Sequence, residues 1–155
     1  MARFSEALAR AAEEIKAPPP LPLGHYIMRV TKVPDAPSEV TFSTGSADKL
    51  TFNVETVAAY DDVDPDMLAE YGNPAGRPMR LEFLFNHDDE IRFETTLNQL
   101  KAFLANCGID TDSGTLQEWI NDVPNRQFLG QVGHQRDKND ASIVYARIGR
   151  TSAVD

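Results

Sequence analysis

Apolar and polar residues alternate with a period of two in several separate runs of this sequence, and a chain with that pattern buries itself mainly as strands. In GHYIMRVTKV, which starts at Gly24, Tyr26, Met28 and Val30 alternate with His25, Ile27 and Arg29. In LTFNVETV, Leu50, Phe52 and Val54 oppose Thr51, Asn53 and Glu55; in MRLEFLFN, Met79, Leu81, Phe83 and Phe85 oppose Arg80, Glu82 and Asn86. His87-Asp88-Asp89 reads as a hairpin turn leading into a further strand, IRFE. RQFLGQVGH and SIVYARIG, joined by the polar turn QRDKNDA, supply the last two strands. Between the first two runs, VPDAPSEVTFSTGSAD is rich in turn formers and reads as a loop with a short strand near Val40–Phe42.

Helical spacing appears in a few places only. Phe4, Leu8, Ala11, Ala12 and Ile15 make residues 1–17 an amphipathic N-terminal helix. Pro18, Pro19 and Pro20 cannot continue it, so residues 18–23 form a stiff Pro-rich spacer. In the acidic insertion AYDDVDPDMLAEYGNPAGRP, Asp64 before Pro65 starts a short helix through Met67, Leu68 and Tyr71. The clearest helix is TTLNQLKAFLANCG: Thr95 or Thr96 caps it, Leu97, Leu100, Phe103 and Leu104 form its stripe, and Gly108 closes its C-terminus in the left-handed conformation. TLQEWIND adds a short helix around Trp119. With no internal repeat and no second core, the expectation is one domain over residues 24–150, of mainly β class with helices (α+β), followed by a flexible tail, 151–155.

A chain of 155 residues holds a core without metal or disulfide staples, and its one cysteine, Cys107, forms no internal bridge, which suits a reducing cytoplasm. The N-terminal segment carries Glu6, Glu13 and Glu14 and lacks the apolar core of a secretory signal, and no run is apolar enough to span a bilayer. The net charge of -9 argues against generic nucleic-acid binding, because phosphate repels acidic surfaces. That charge is uneven. Acids dominate from Glu55 to Glu94, densest at Asp61, Asp62, Asp64 and Asp66, whereas Arg126, Arg136, Lys138, Arg147 and Arg150 face only Asp137 and Asp140 in the closing segment.

Catalytic arrangements are scarce. His25, His87 and His134 stand far apart, none in a metalloprotease spacing, and no Ser-His-Asp order emerges. Cys107 sits at a helix C-terminus, where the helix dipole disfavours thiolate, and reads as structural. The four clustered aspartates lack the glycine and terminal ligand of a calcium loop and read as a solvated acidic loop. The expectation is no catalytic residues, no metal and no cofactor.

The element order, three strands, a helix, then two strands, is that of the OB-fold, a five-stranded, partly open Greek-key barrel. The likeness extends to short motifs. Pro22, Gly24 and Tyr26 open the first strand; Leu97, Leu100, Leu104 and Gly108 mark the central helix; Gly130, Val132 and His134 precede a charged hairpin, and Tyr145 and Ile148 close the chain. In these places the sequence resembles small bacteriophage proteins taken to be OB-type single-stranded DNA-binding proteins. The resemblance spans roughly residues 21–150. The N-terminal helix, the insertion 60–78 and the lack of a strongly acidic tail depart from it.

The resemblance implies binding of single-stranded DNA without strong sequence specificity, in phage DNA replication or recombination within a bacterial host's cytoplasm. Single strands are held by aromatic rings that stack on bases and by cations that follow the backbone. Phe52, Phe83, Phe85 and Phe128 alternate with the aliphatic core and belong to it. Tyr26 and Tyr145, able to keep a wet hydroxyl, and Phe42, in a loop, are the stacking candidates. The cations are Arg29 and Lys32 on the first strand, Lys49, Arg80 and Arg92, with Arg136, Lys138 and Arg147 around the last hairpin. The N-terminal helix suits exchange between copies, so a homo-oligomer and a monomer both fit, and replication or recombination proteins are further candidate partners. The alternative is an acidic protein–protein module, a virion or replication accessory protein or a DNA-mimic inhibitor, working through the insertion and the N-terminal helix.

Overall fold

The computed structural model describes Glu6, Leu8 and residues 19–34, 38–42, 45–140 and 143–154. The fold is organised by its longest strand, β3 (Gly45–Ala59, 15 residues), too long to be paired by any one neighbour. Along one edge its first half pairs with β2 (Ser38–Phe42) and its second half with β1 (Gly24–Lys32); along the other it pairs with β4 (Pro78–Asn86). β1 and β2 are therefore one interrupted strand, folded back on β3 as a hairpin. β5 (Gln127–Arg136) joins the free edge of β1, and β6 (Val144–Ser152) joins β5. Among the described residues all pairings are antiparallel, in one six-stranded sheet ordered β2-β3-β1-β5-β6, with β4 on β3. Register shifts at Ile27/Met28, Val30/Lys32 and Gln131/Val132 bend the strands, as bulges do. The sheet curls until β4 and β6 lie side by side without pairing.

Among the described residues three further helices follow local rules. α1 (Pro65–Tyr71) starts where the Asp64 carboxylate accepts from the backbone N–H of Asp66 and Met67, with proline in its first turn. α2 (Glu90–Asn106) and α3 (Leu116–Asp122) lie between β4 and β5 in the chain, capped by Asp89 and Thr115. Asp89 corrects the sequence reading: IRFE is the first turn of α2, not a strand. Ile91 and Phe93 alternate as a strand would, but Phe93 also continues the Leu97, Leu100, Leu104 stripe backwards by one turn, and the Asp89 cap decides between the two. Thr95 is no cap; its hydroxyl donates to Ile91 O at 2.8 Å inside the helix. Gly108, at φ 84°, closes the C-terminus as expected.

Two strand ends also move. β3 begins at Gly45 because the β2 hairpin extends it, and β6 runs to Ser152 through Gly130–Thr151 and Leu129–Ser152 pairing, so the first two residues of the expected tail are strand. The expected N-terminal helix lies outside the described residues except for Glu6 and Leu8. Among the described residues no helix is long and apolar enough to cross a membrane.

The core lies between the curled sheet and α2. Leu100, Phe103 and Leu104 are buried, and the Phe103 ring meets Phe52, Phe83 and Phe128 at centroid distances of 5.4, 5.8 and 5.1 Å. The acidic insertion packs down as well. The Tyr60 N–H donates to His25 O, Thr56 is buried under Pro74 and Arg77, and Val63 fills the space beside Gly24. A Cβ on Gly24 would come within 2.7 Å of Val63 Cγ2, and its φ of +136° disfavours any other residue. Phe103→Ala is expected to cost about 3–5 kcal/mol in urea unfolding, the range for truncating a buried aromatic, whereas exposed Ile91→Ser should change stability by under about 0.5 kcal/mol.

Candidate nucleic-acid interface

Strand register decides which outward side chains become neighbours. Phe52 and Val54 point into the core, so Asn53 between them faces out. Lys32 of β1 is its partner on one side and Arg80 of β4 on the other, which sets Lys32, Asn53 and Arg80 in a row across three strands. Across the seam, Arg147 of β6 lines the same cleft as Arg80, a space of about 470 Å³ shared with Thr31, Asn53 and Glu55. Arg147 Nη1 donates to Gln135 Oε1 at 3.1 Å, which extends the polar row onto β5. Tyr145, two residues back on β6 and paired with Gln135, is 52% exposed. Its hydroxyl donates to Asp137 Oδ2 at 2.9 Å; that bond and the carboxylate's charge push the phenol pKa up. The Asp137 carboxyl is held low by the Asn139 N–H, then by Tyr145.

Of the sequence candidates, the fold thus brings together Lys32, Arg80, Arg147 and Tyr145. Arg136 ends β5 opposite Val144, and Lys138 stands exposed in the turn after it, both at the Tyr145 end of the row. Lys49 sits 3.8 Å from Glu82, which offsets its charge. Arg29 is bound to the Glu55 carboxylate and, at 3.2 Å, to Asn125 Oδ1. Arg92 is on the first turn of α2, 3.5 Å from Asp89, in a separate recess with Ala47 and Asn86. The backbone of Phe42 pairs with Gly45, and its side chain lies outside the described residues.

Tyr26 is a correction. It is fully buried, its hydroxyl donates to Pro22 O at 2.7 Å, and burial pushes its pKa up to about 12, so it cannot stack on a base. The phenol is wet only where its tip reaches solvent, and the Pro-rich spacer covers this one. Phe52, Phe83, Phe85 and Phe128 are buried core, as the alternation implied. Cys107 is buried too, and burial pushes its thiol up to about 12.

Sequence reasoning missed Asn53 and Gln135, whose outward direction was readable but whose neighbours were not. It also missed a hydrogen-bonded line near the turn of the β2–β3 hairpin: Ser46 Oγ faces His87 Nδ1 at 2.8 Å, and His87 Nε2 lies 3.1 Å from Asp48. Together with the His87 N–H to Ser46 O bond, it ties the hairpin to the end of β4. The clustered aspartates do not converge. Asp64 caps α1, and Asp62 holds His25 through its backbone N–H at 3.0 Å and ring Nδ1 at 2.6 Å. Among the described residues no three His, Cys, Asp or Glu side chains are grouped to hold a metal ion. No family model matches the chain, and no curated protein matches it.

The hydrogen bonds from His25 hold the Asp62 carboxyl below the ordinary value of 3.8. The folded carboxyl binds its proton less tightly than the unfolded one, so its stabilisation is full above that value and lost as pH falls below it. Asp62→Asn is therefore expected to lower the urea midpoint at neutral pH, with the difference from wild type closing below pH 3.8. A difference that stayed constant to acid unfolding would remove the carboxylate from this account.

Proposed function

We propose that this chain is a single-stranded DNA-binding protein on an OB-like Greek-key barrel. Counted with β1 and β2 as one interrupted strand, the sheet supplies five barrel strands, with α2 between the third and fourth. β4 and β6 then form the parallel closing seam of a partly open barrel. The observation that carries the functional reading is the Lys32, Asn53 and Arg80 row, continued across the seam by Arg147 and ending beside exposed Tyr145. Cations a strand apart follow a phosphate backbone, and an exposed ring beside them offers a base its π-face. The loops that flank the binding face of OB-folds correspond to the β2–β3 hairpin and to the turn holding Lys138.

The net charge of -9 does not prevent this. Much of the acidity sits in the insertion, and salt screens it over about 8–10 Å. In this reading DNA replication or recombination in a phage-infected bacterial cytoplasm is the setting, with binding rather than catalysis the activity. The alternative, an acidic protein–protein module, draws on the exposed Leu84, Ile91 and Phe93 near the start of α2.

The test is fluorescence anisotropy with labelled poly-dT of about 30 nucleotides, ample for one barrel's site of about 4–16, against a duplex of equal length. Binding that salt weakens and the duplex fails to match is expected. Arg80→Ala and Arg147→Ala should each lower the salt slope by about one. Tyr145→Ala should cost about 1–3 kcal/mol, the worth of one stacked base. Tyr26→Phe should leave affinity unchanged while costing about 1–3 kcal/mol of stability, since Pro22 O loses its donor. No binding at low salt would overturn the reading in favour of the protein-partner module.

A further inference from the structure

The cation row opens at the seam into a second, larger and open-sided cleft, lined by α2, β4 and β6, of about 650 Å³. That lies within the roughly 300–1,000 Å³ of small-molecule sites. Phe83, Phe103 and Ile148 line it, and each is at most 8% exposed, so this wall is made of side chains held in the core. Its polar lining differs from that of the first cleft. Gln99 and Asn106 contribute amides from α2, Glu82 a carboxylate from β4 that also lies 3.8 Å from Lys49, and Arg147 and Arg150 guanidinium groups from β6. Asn106 Nδ2 donates to Thr151 Oγ1 at 3.3 Å, which anchors that amide to β6. Arg147 lines both clefts and links this space to the cation row.

These groups select a ligand class. An apolar wall with amides at its edge suits a flat heterocycle, and an unpaired base can turn its edge to such amides where a duplex hides it. Carboxylates and side-chain amides pair with exocyclic amines: glutamate accepts from cytosine N4, and glutamine or asparagine binds adenine N6 and N7. Thymine carries no such amine.

We propose that the cleft between α2, β4 and β6 takes one unstacked, amino-bearing nucleobase of the bound strand, read by Gln99, Asn106 and Glu82. The inference rests on the single-strand reading and adds to it a preference at one nucleotide position.

The experiment compares labelled dC and dT oligomers of about 12 nucleotides, two pyrimidines that differ at this amine, in anisotropy titrations at one salt concentration. Wild type should bind dC about 5- to 10-fold more tightly than dT, at the low end for a side chain that reads a base edge. Gln99→Leu and Ala102→Trp, both on the exposed side of α2, should bring dC to the level of dT and leave dT binding within about twofold, since the row still holds the backbone. Thermal unfolding of each variant checks its fold, and Gln99→Leu alone decides if the bulky substitution is not tolerated. Equal wild-type binding of dC and dT, or a dC preference that survives Gln99→Leu, overturns this inference and leaves the single-strand reading standing. Binding of neither oligomer overturns both.

Discussion

Phe103 touches aromatic rings from three strands, β3, β4 and β5, and that contact sets the geometry of the rest. A sheet curled this far must either close by hydrogen bonds between its end strands or have its open side filled. Here α2 fills it. The Leu100, Phe103 and Leu104 stripe enters between β4 and β6, and its burial offsets the missing backbone pairing. One consequence is mechanical, since both β4 and β6 lean on the same helix. The other is geometric. A seam closed by side chains leaves clefts where a paired seam would leave none, and both clefts that Arg147 lines lie along it.

Electrostatics divides the molecule in a second way. The insertion, the most acidic stretch, is tied to the far ends of β1 and β3 through His25, Thr56 and the Gly24–Val63 contact. Register sets Lys32 and Arg80 in one row, and the unpaired seam adds Arg147 from β6. Each local choice is ordinary: an aspartate capping a helix, a glycine where a side chain would collide, a lysine at a strand end. Their joint effect is a cationic strip on a chain whose total charge would suggest none.

How much of this was legible in the sequence follows from the range of each signal. Period-two alternation is local, so the inward faces of β1, β3, β4 and β5 could be read directly, and Phe52, Phe83 and Phe128 with them. Where two periods fit the same residues, as with Ile91 and Phe93, the reading failed, and the Asp89 cap decided the outcome. Tyr26 misled because alternation gives a side chain's direction but not what covers it; Pro22, four residues earlier, folds back over its hydroxyl. Register is non-local altogether. Nothing in the neighbourhood of Lys32 announces Asn53 or Arg80, and Ser46 and His87 lie 41 residues apart.

In the proposed reading the strip crossing the seam is the face that holds the strand, and backbone NMR reports on it residue by residue. Titrating isotope-labelled protein with a short oligo-dT at moderate salt should shift the amide resonances of Lys32, Asn53, Arg80, Tyr145 and Arg147 together, saturating at one stoichiometry, while those of residues 61–72 stay in place. Shifts confined to α1 and the insertion, or absent along β4 and β6 at saturating oligonucleotide, would contradict the account and move the functional surface to the acidic side of the molecule.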